Sequence, residues 1–255
     1  MAARGARSLR PFAKPSTILN PQRAFLSLNN RSYHSYDHDP PPPPYSAVES
    51  SILSASMRHV PKHGFTNTSL TLGAKDAGYL DVSINLFPRG AFDLINFHIV
   101  TERLALKHVG FEAAGGKEPG VARKIRTLVL ERLARNRPVN HRWQEALAIM
   151  AQPSNIPTSV AELARLSDEM WFLAGDSSVD TSWYTKRATL SSIYASTELF
   201  MTQDTSSNFT ETEQFLDRRL EDVRKIGSGI SNLGQWLDFT GHAVTNVLRS
   251  KGVRI

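Results

Sequence analysis

Apolar residues recur at helical spacing along most of the chain, and no segment sustains the apolar–polar alternation of a half-buried strand. The clearest amphipathic segment follows Gly120. Five of its apolar residues fall on one helical face: Val121, Ile125, Leu128, Val129 and Leu133. We therefore predict an all-α fold whose core is built from the apolar faces of its helices.

The first predicted helix follows Ser46, because Glu49 stands three positions later and completes a capping-box pattern. We expect Pro61 and Gly64 to end this helix. Farther along, Gly78 occupies a tight turn between two predicted short helices. This spacing resembles the helix-turn-helix of TetR-type regulators, in which a third helix enters the major groove.

The charges of this region do not favour DNA binding. Four charged residues lie between residues 65 and 92, namely Lys75, Asp76, Asp81 and Arg89, and they sum to zero. Phosphate contacts need a basic surface. We therefore interpret the helix-turn-helix as a vestigial scaffold and expect no nucleic-acid partner. A ligand-responsive DNA-binding regulator of the TetR type is the alternative function.

Two long helices are expected in the second half of the chain. Ser159 stands three residues before Glu162, which predicts a helix capped by Ser159, and Gly175 should end it. Asp180 or Thr181 should cap the next helix, which we expect to run to about residue 203.

Two aromatic and two basic residues occupy the start of this last helix. Trp183 falls on its apolar stripe, but Lys186 and Arg187 lie close to the same stripe, where a buried face should carry no charge. Large rigid anchors beside arginine are typical of protein-binding surfaces, although Trp183 packed in the core is the alternative. The predicted partner-binding residues are Asp168, Met170, Asp180, Trp183, Tyr184, Lys186 and Arg187.

The excess positive charge is concentrated at the amino terminus. The chain has 30 Lys and Arg against 24 Asp and Glu, and residues 1–36 hold six basic residues and no acid. An Arg-rich, Ser-containing, acid-free start is typical of a mitochondrial transit peptide, which we place at residues 1–33; a basic tail is the alternative. Consecutive prolines at 40–44 then indicate a proline-rich linker over residues 34–45.

The carboxyl-terminal segment combines apolar anchors with net positive charge. Residues 224–255 hold five basic residues against Asp238 alone. This composition favours an amphipathic helix over residues 233–255 that lies on a membrane surface; a terminal helix packed on the protein's own core is the alternative. The predicted membrane-binding residues are Trp236, Leu237, Phe239, Val244, Val247 and Leu248.

No catalytic motif is apparent. The chain lacks cysteine, a HExxH or Glu-x-x-His motif, a Walker loop and a nucleophile elbow, and no apolar stretch is long enough to span a bilayer. His59 and His63 have a metal-compatible spacing, but Pro61 lies between them and no carboxylate stands nearby in sequence. We therefore expect a protein that is not an enzyme and that has no metal and no cofactor.

Three segments carry a resemblance to a known family: MAQPSNIP at residues 150–157, MWFLAGDSSVDTSWYTKRATLSSIYASTELFMTQDTS at 170–206 and FLDRRLED at 215–222. They are similar to the mitochondrial ubiquinone biosynthesis accessory family, lipid-binding proteins with a TetR-like fold. The similarity covers roughly residues 46–255. The family's enzyme-binding patch falls on Asp168, Met170, Asp180, Trp183, Tyr184 and Arg187, and Lys186 replaces an arginine that some relatives carry.

The resemblance implies a homodimer at the matrix face of the mitochondrial inner membrane, held there peripherally by inner-membrane lipids. It implies an apolar cavity that binds an isoprenoid, a quinone or a phospholipid. It also implies membership of the ubiquinone biosynthesis complex, in which the protein would present a quinone intermediate to the di-iron demethoxy-ubiquinone hydroxylase.

Domains follow from these expectations: a helix-turn-helix-like domain at residues 46–97 and a lipid-binding helical domain at 98–232. The candidate lipid-binding residues are large apolar side chains on adjacent predicted helices, any of which could instead be core: Trp143, Leu147, Met150, Trp171, Ile193 and Phe200.

Overall fold

The computed structural model describes residues 45–111, 118–176 and 182–226, and every regular element in these ranges is a helix. The all-α prediction is confirmed for this part of the chain. Its α-helices are α1 (Ala47–Met57), α2 (Val60–His63), α3 (Asn67–Asp76), α4 (Ala91–Leu104), α5 (Val121–Ala134), α6 (Asn140–Met150), α7 (Ile156–Leu173), α8 (Ser182–Met201) and α9 (Thr210–Ile226).

The predicted capping box begins α1. The Glu49 amide donates to Ser46 Oγ at 3.3 Å, and the Ser46 amide donates to Glu49 Oε2 at 2.8 Å. The predicted end of this helix is wrong, because α1 stops at Met57 and Pro61 lies in the first turn of α2. A proline is tolerated there, since the amides of the first helical turn have no intrahelical acceptor. Gly64, at φ +71°, ends α2 instead.

The glycine turn after α3 is present, since Gly78 has φ +81°. The element that follows it is a short 3-10 helix, Asp81–Leu86, none of whose residues is buried. Helices α1 and α3 are in close contact at Gly73, where an added Cβ would lie 2.0 Å from Ser56 Oγ and 2.5 Å from Ser56 Cα. The amino-terminal helices therefore pack through a contact that only glycine permits.

Two hydrophobic clusters form the interior of the described residues. The first joins α1 to α4 with α6 and includes the fully buried Trp143. The second joins α5, α7, α8 and α9 and includes Met170 and Ile193. Helix α4 runs without a break through residues 97 and 98. The two predicted domains, residues 46–97 and 98–232, therefore share one helix.

The predicted start of α7 is wrong. The helix begins at Ile156 with Asn155 at the capping position, and Ser159 lies inside it, where its hydroxyl donates to the Asn155 carbonyl at 3.0 Å. Glu162 does not reach back to a helix terminus, because it pairs with Arg103 of α4 at 2.5 Å. The predicted stop is confirmed, since α7 ends at Leu173 and Gly175 has φ +83°.

Several predicted features lie outside the described residues. They are the transit peptide, nearly all of the linker, the cap of α8 and the amphipathic segment with Trp236, Leu237, Phe239, Val244, Val247 and Leu248. Over the ranges that are described, no helix is both long and apolar enough to cross a membrane.

Candidate functional site

A cavity of about 240 Å³ lies between α4, α5, α6, α7 and α8. An apolar cavity of about 150 Å³ is enough to hold benzene, so this one can take a substituted ring or a short length of hydrocarbon chain. Most of its lining is apolar: Ile99, Leu147, Met150, Ala151, Ile156, Val160, Leu163, Leu166, Ala195 and Leu199.

The apolar lining reaches the protein surface along the first turns of α7. Ile156 and Val160 both line the cavity, yet they are 40% and 58% exposed. A ligand longer than the cavity can therefore extend past these two side chains. We call them the cavity rim.

Polar side chains converge at the inner end, where Arg132, Tyr194 and Glu198 line the cavity. The Tyr194 hydroxyl donates to Glu198 Oε1 at 2.8 Å. The same carboxyl oxygen accepts from Asn136 Nδ2, also at 2.8 Å. Asn136 Oδ1 accepts from Arg132 Nη1 at 2.8 Å and lies 2.9 Å from His98 Nε2. We call these five residues the inner polar network.

Burial controls protonation in this network. Desolvation raises the pKa of Glu198 and raises that of Tyr194 well above its ordinary value. Desolvation, followed by the positive charge of Arg132, lowers the pKa of His98 to about 4. His98 is therefore neutral at physiological pH. Burial favours the uncharged form of Glu198, whereas the positive charge of Arg132 and the hydrogen bonds from Tyr194 and Asn136 oppose it.

A second polar group forms one wall. Glu162 lines the cavity and pairs with the buried Arg103 at 2.5 Å and with the more exposed Arg165 at 3.2 Å. Because Arg103 lies on α4 and Glu162 on α7, the ion pair joins two walls of the cavity.

The six predicted lipid-binding residues separate into two groups. Leu147 and Met150 line the cavity. The other four do not: Trp143 and Ile193 are buried in the two core clusters, Trp171 donates its indole N–H to the Lys186 carbonyl at 3.2 Å, and Phe200 stacks on Phe215 with 4.6 Å between ring centroids.

Sequence reasoning missed the residues that α7 contributes. Leu163 and Leu166 belong to its apolar stripe, which predicts burial but does not distinguish a cavity wall from core. Ile156 and Val160 could have been recognised as lining residues. They are apolar, they precede that stripe on the same helix, and they leave apolar surface uncovered.

The structure brings the predicted partner-binding residues of α7 and α8 together. The Arg187 guanidinium carbon lies 3.8 Å from the Trp183 ring centroid, and Arg187 Nε donates to Asp168 Oδ1 at 2.6 Å. The Tyr184 ring packs edge-on against Trp183 and is 74% exposed as a residue. Lys186 pairs with Asp176 at 2.9 Å. We call Asp168, Trp183, Tyr184, Lys186 and Arg187 the α7–α8 surface.

Two of the predicted partner-binding residues, Met170 and Asp180, are not included in the α7–α8 surface. Met170 is 0% exposed and packs in the second hydrophobic cluster, so it cannot touch a partner directly. Its place on the apolar stripe of α7 explains why. Asp180 lies outside the described residues.

A carboxylate does lie beside His59 in the fold, because Asp76 of α3 is 2.8 Å from His59 Nε2. Asp76 is distant in sequence and close only in the fold. Even so, no group of three or more His, Cys, Asp or Glu side chains in the described ranges is arranged to hold a metal ion.

The glycine turn exposes apolar side chains. Leu80 and Val82 are well exposed on the 3-10 helix side of the turn, and Lys75 pairs with Asp81 at 3.4 Å. This surface offers little positive charge for a phosphate backbone.

The described chain is thus an all-α protein with an apolar, rim-exposed cavity and a cation–aromatic surface on two of the cavity's helices. The COQ9 family model matches residues 156–227, which run from α7 to the end of α9. The chain is 35% identical over 227 residues to the ubiquinone biosynthesis protein coq9, mitochondrial, of Schizosaccharomyces pombe, covering 89% of each chain.

Two animal relatives show similar identity. The ubiquinone biosynthesis protein COQ9, mitochondrial, of Rattus norvegicus is 35% identical over 215 residues, with 82% of this chain and 67% of that one covered. The protein of the same description from Homo sapiens is 35% identical over 211 residues, with 80% and 65% covered. The chain belongs to the COQ9 family, which confirms the family resemblance seen in its sequence.

Proposed function

We propose that this protein is a non-catalytic accessory protein of ubiquinone biosynthesis in the mitochondrion. It binds isoprenoid or quinone lipids in the cavity and presents them to the di-iron demethoxy-ubiquinone hydroxylase. The relatives' descriptions support the pathway and the organelle. The observation that carries the lipid-binding role is the cavity itself, whose apolar lining reaches the surface at Ile156 and Val160.

An open rim suits a long apolar chain. A cavity of 240 Å³ is too small to enclose a whole polyprenyl tail, so part of the tail must extend past the rim. Each methylene removed from water contributes about 0.8 kcal/mol, and so even a partly enclosed chain gains enough free energy to bind reversibly. Reversibility is what a presenting protein needs, because the lipid must leave it for the enzyme.

The α7–α8 surface supports docking of a protein partner. Asp168 holds the Arg187 guanidinium against the Trp183 ring, so both side chains are ordered before a partner arrives. Preorganised aromatic and arginine side chains lose little conformational entropy on binding, which is why they dominate interface hot spots. Tyr184 adds an exposed ring beside them.

The finer features of the family belong to the same proposal. They are a TetR-like fold with a vestigial helix-turn-helix, a homodimer, and peripheral attachment to the matrix face of the inner membrane through residues 233–255. The exposed Leu80 and Val82 at the glycine turn favour this function over the regulator alternative, because apolar side chains do not bind phosphates.

Native mass spectrometry with lipid extraction tests the lipid-binding role. The protein is purified from a cell that makes polyprenyl quinones, beside Ala195→Trp, which fills the cavity, and Ala188→Trp, which adds the same side chain to the exposed face of α8. We expect isoprenoid or quinone species on the wild type and on Ala188→Trp, and their loss from Ala195→Trp. Empty wild-type protein that shifts a DNA duplex would instead favour the regulator.

Capture of the purified hydroxylase tests the docking role. Trp183→Lys should abolish capture with little change in melting temperature, because Trp183 is half-buried rather than core. Val82→Lys is the matched control, an exposed apolar side chain changed to lysine on the glycine-turn surface. Undiminished capture by Trp183→Lys would remove the α7–α8 surface from the proposal.

A further inference from the structure

Trp143 lies in the amino-terminal core with its indole donor unused. The side chain is 0% exposed, and its Nε1 donates to no described residue. The rings of Phe65 and His98 pack edge-on against it, with 5.7 Å and 5.2 Å between centroids. A buried indole N–H usually finds an acceptor, and leaving it unpaired is unfavourable. The core therefore gains stability if an acceptor comes within reach of Trp143.

Such an acceptor stands beside the indole, namely the Glu198 carboxyl group. Desolvation raises the pKa of Glu198, whereas four groups lower it, in decreasing order Arg132, Tyr194, Asn136 and Trp143. Trp143 acts on the carboxyl in this way only from close by, yet no hydrogen bond is completed. Tyr194 and Asn136 both donate to Oε1, so Oε2 accepts from no described residue. A small movement of the indole would complete the bond.

Glu198 also connects this pair of side chains to the cavity. It lines the cavity and is 8% exposed, whereas Trp143 is fully buried behind it and does not line the cavity. An occupant displaces solvent from the cavity and lowers the dielectric around the carboxyl group. Hydrogen bonds to a carboxyl strengthen as the dielectric falls, because less water competes for its oxygens. An occupied cavity therefore favours the bond between Trp143 and Glu198.

We propose that an occupant of the cavity brings Trp143 Nε1 into a hydrogen bond with Glu198, and that the amino-terminal core repacks around the moved indole. The cavity is thereby coupled to helices that do not line it. This inference goes beyond the proposed function, since any apolar occupant that displaces solvent should have the same effect.

The glycine-turn surface is the exposed part of the molecule that this coupling reaches. Ile84 and Phe87 pack in the same hydrophobic cluster as Trp143, and they hold the 3-10 helix at which Leu80 and Val82 are exposed. Repacking of that cluster changes the support of these exposed side chains. A partner at this surface could then distinguish the occupied protein from the empty one, and by linkage it would change the affinity of the cavity for its occupant.

Indole N–H resonances of the full chain test the first step. The chain has four tryptophans, and substitution of each by phenylalanine assigns its peak. Butylbenzene is the probe, because it is apolar and has no group that could bond to an indole. We expect it to move the Trp143 peak downfield and to slow the solvent exchange of that proton at least about tenfold, as a hydrogen bond to a charged group predicts. Trp171, which already donates to the Lys186 carbonyl at 3.2 Å, should not respond.

A cavity-filling variant repeats the test without any ligand. Ala195→Phe places a ring in the cavity and should move the Trp143 peak in the same direction. Ala188→Phe is the matched control, because it adds the same ring to the exposed face of α8, and it should leave the peak in place. Glu198→Met removes the acceptor at similar volume. It should still bind butylbenzene but lose the Trp143 response.

Backbone amide resonances test the second step. Butylbenzene should shift the amides of Phe65, Ile84 and Phe87 in the wild type. Trp143→Phe keeps an aromatic ring and removes the donor, so it should abolish these shifts. Trp171→Phe is the matched control, since it removes an indole donor that is bonded elsewhere, and it should retain them.

The outcomes separate this inference from the proposed function. A Trp143 peak that is unmoved both by bound butylbenzene and in Ala195→Phe overturns the coupling and leaves lipid binding intact. A shift in Ala195→Phe, combined with wild-type protein that carries no isoprenoid or quinone lipid, supports the coupling and counts against the proposed function. A shift that persists in Glu198→Met overturns the coupling through this carboxyl. The wild-type and Ala195→Phe comparisons decide the matter even if Glu198→Met fails to fold.

Discussion

Arg103 Nε lies 2.5 Å from Glu162 Oε1, and both side chains are more than nine-tenths buried. Arg103 belongs to α4 and Glu162 to α7, so one ion pair fixes the distance between two helices that border the cavity. Glu162 also faces the cavity itself. The pair therefore contributes to stability and to the shape of the site at the same time.

Removal of the Glu162 carboxylate should be strongly destabilising. Glu162→Ala leaves the Arg103 charge buried without its partner, and we expect a loss of about 3–5 kcal/mol in the free energy of unfolding. Glu145→Ala breaks the exposed pair with Arg142 and should lose less than about 1 kcal/mol. Urea unfolding of the two variants checks the difference, and equal losses would contradict a stabilising buried pair.

Gly73 should tolerate no side chain. In Gly73→Ala the new Cβ would meet the backbone of Ser56, so α1 and α3 must move apart, and we expect a loss of at least about 1–3 kcal/mol. Gly120→Ala is the control, since nothing lies within 4 Å of its added Cβ. Thermal unfolding separates the two variants, and a fully stable Gly73→Ala would mean that the helices are farther apart than described.

Stability should fall as the pH drops from about 6.5 to 4. The folded pKa of His98 is about 4 and its ordinary value is 6.5, so in this window the unfolded chain binds a proton that the folded protein excludes. The loss amounts to about 3 kcal/mol and is complete below pH 4. Arg132 also favours the neutral ring, whereas the hydrogen bond to Asn136 and, to a smaller extent, the charge of Glu102 favour the protonated ring.

His98→Asn should flatten that dependence, because asparagine cannot titrate. His141→Gln, at an exposed histidine bonded to the Pro61 carbonyl, should leave it unchanged. Glu198 acts in the opposite sense, since its raised pKa makes stability decrease as the pH rises through that pKa. Unfolding free energies are therefore compared between variant and wild type at each pH. A curve of stability against pH for His98→Asn that runs parallel to the wild-type curve would contradict the prediction.

Substitutions of Met170 and Tyr184 should differ sharply in their effect on stability, although both residues were predicted to bind a partner. Met170→Ala opens a cavity in the second hydrophobic cluster and should lose about 2–5 kcal/mol. Tyr184→Ala removes an exposed ring and should change stability by no more than about 0.5 kcal/mol. Guanidinium unfolding measures both, and a harmless Met170→Ala would return Met170 to the surface.

Features that depend on neighbouring residues could be predicted from the sequence. The Ser46–Glu49 capping box forms through contacts three residues apart, and Gly78 and Gly175 adopt the positive φ that ends a helix. These interactions are decided within one helical turn. Helical periodicity likewise predicted α5, α7 and α8, although the ends of α7 and α8 differ from the prediction by a few positions, whereas α9 was not predicted.

Identical local patterns gave different outcomes where distant residues intervened. Ser159 and Glu162 repeat the spacing of Ser46 and Glu49, but no cap forms, because Glu162 pairs with Arg103, 59 residues away in sequence. Burial of a carboxylate beside a guanidinium outweighs a solvent-exposed cap. The sequence does carry one difference, because Pro157 lies in the first turn of α7 and marks a helix start before Ser159.

The sequence by itself determined the all-α class, the family and the basic–aromatic cluster at the start of α8, since periodicity, composition and motifs are properties of neighbouring residues. Only the tertiary structure decided which apolar side chains line a cavity and which fill a core, and it buried Met170 and Trp143. It also left the buried Arg132 Nε without a hydrogen-bond partner among the described residues at the end of an apolar cavity. The physical reason is that packing and desolvation depend on every helix that meets at a point, and those helices come from distant parts of the chain.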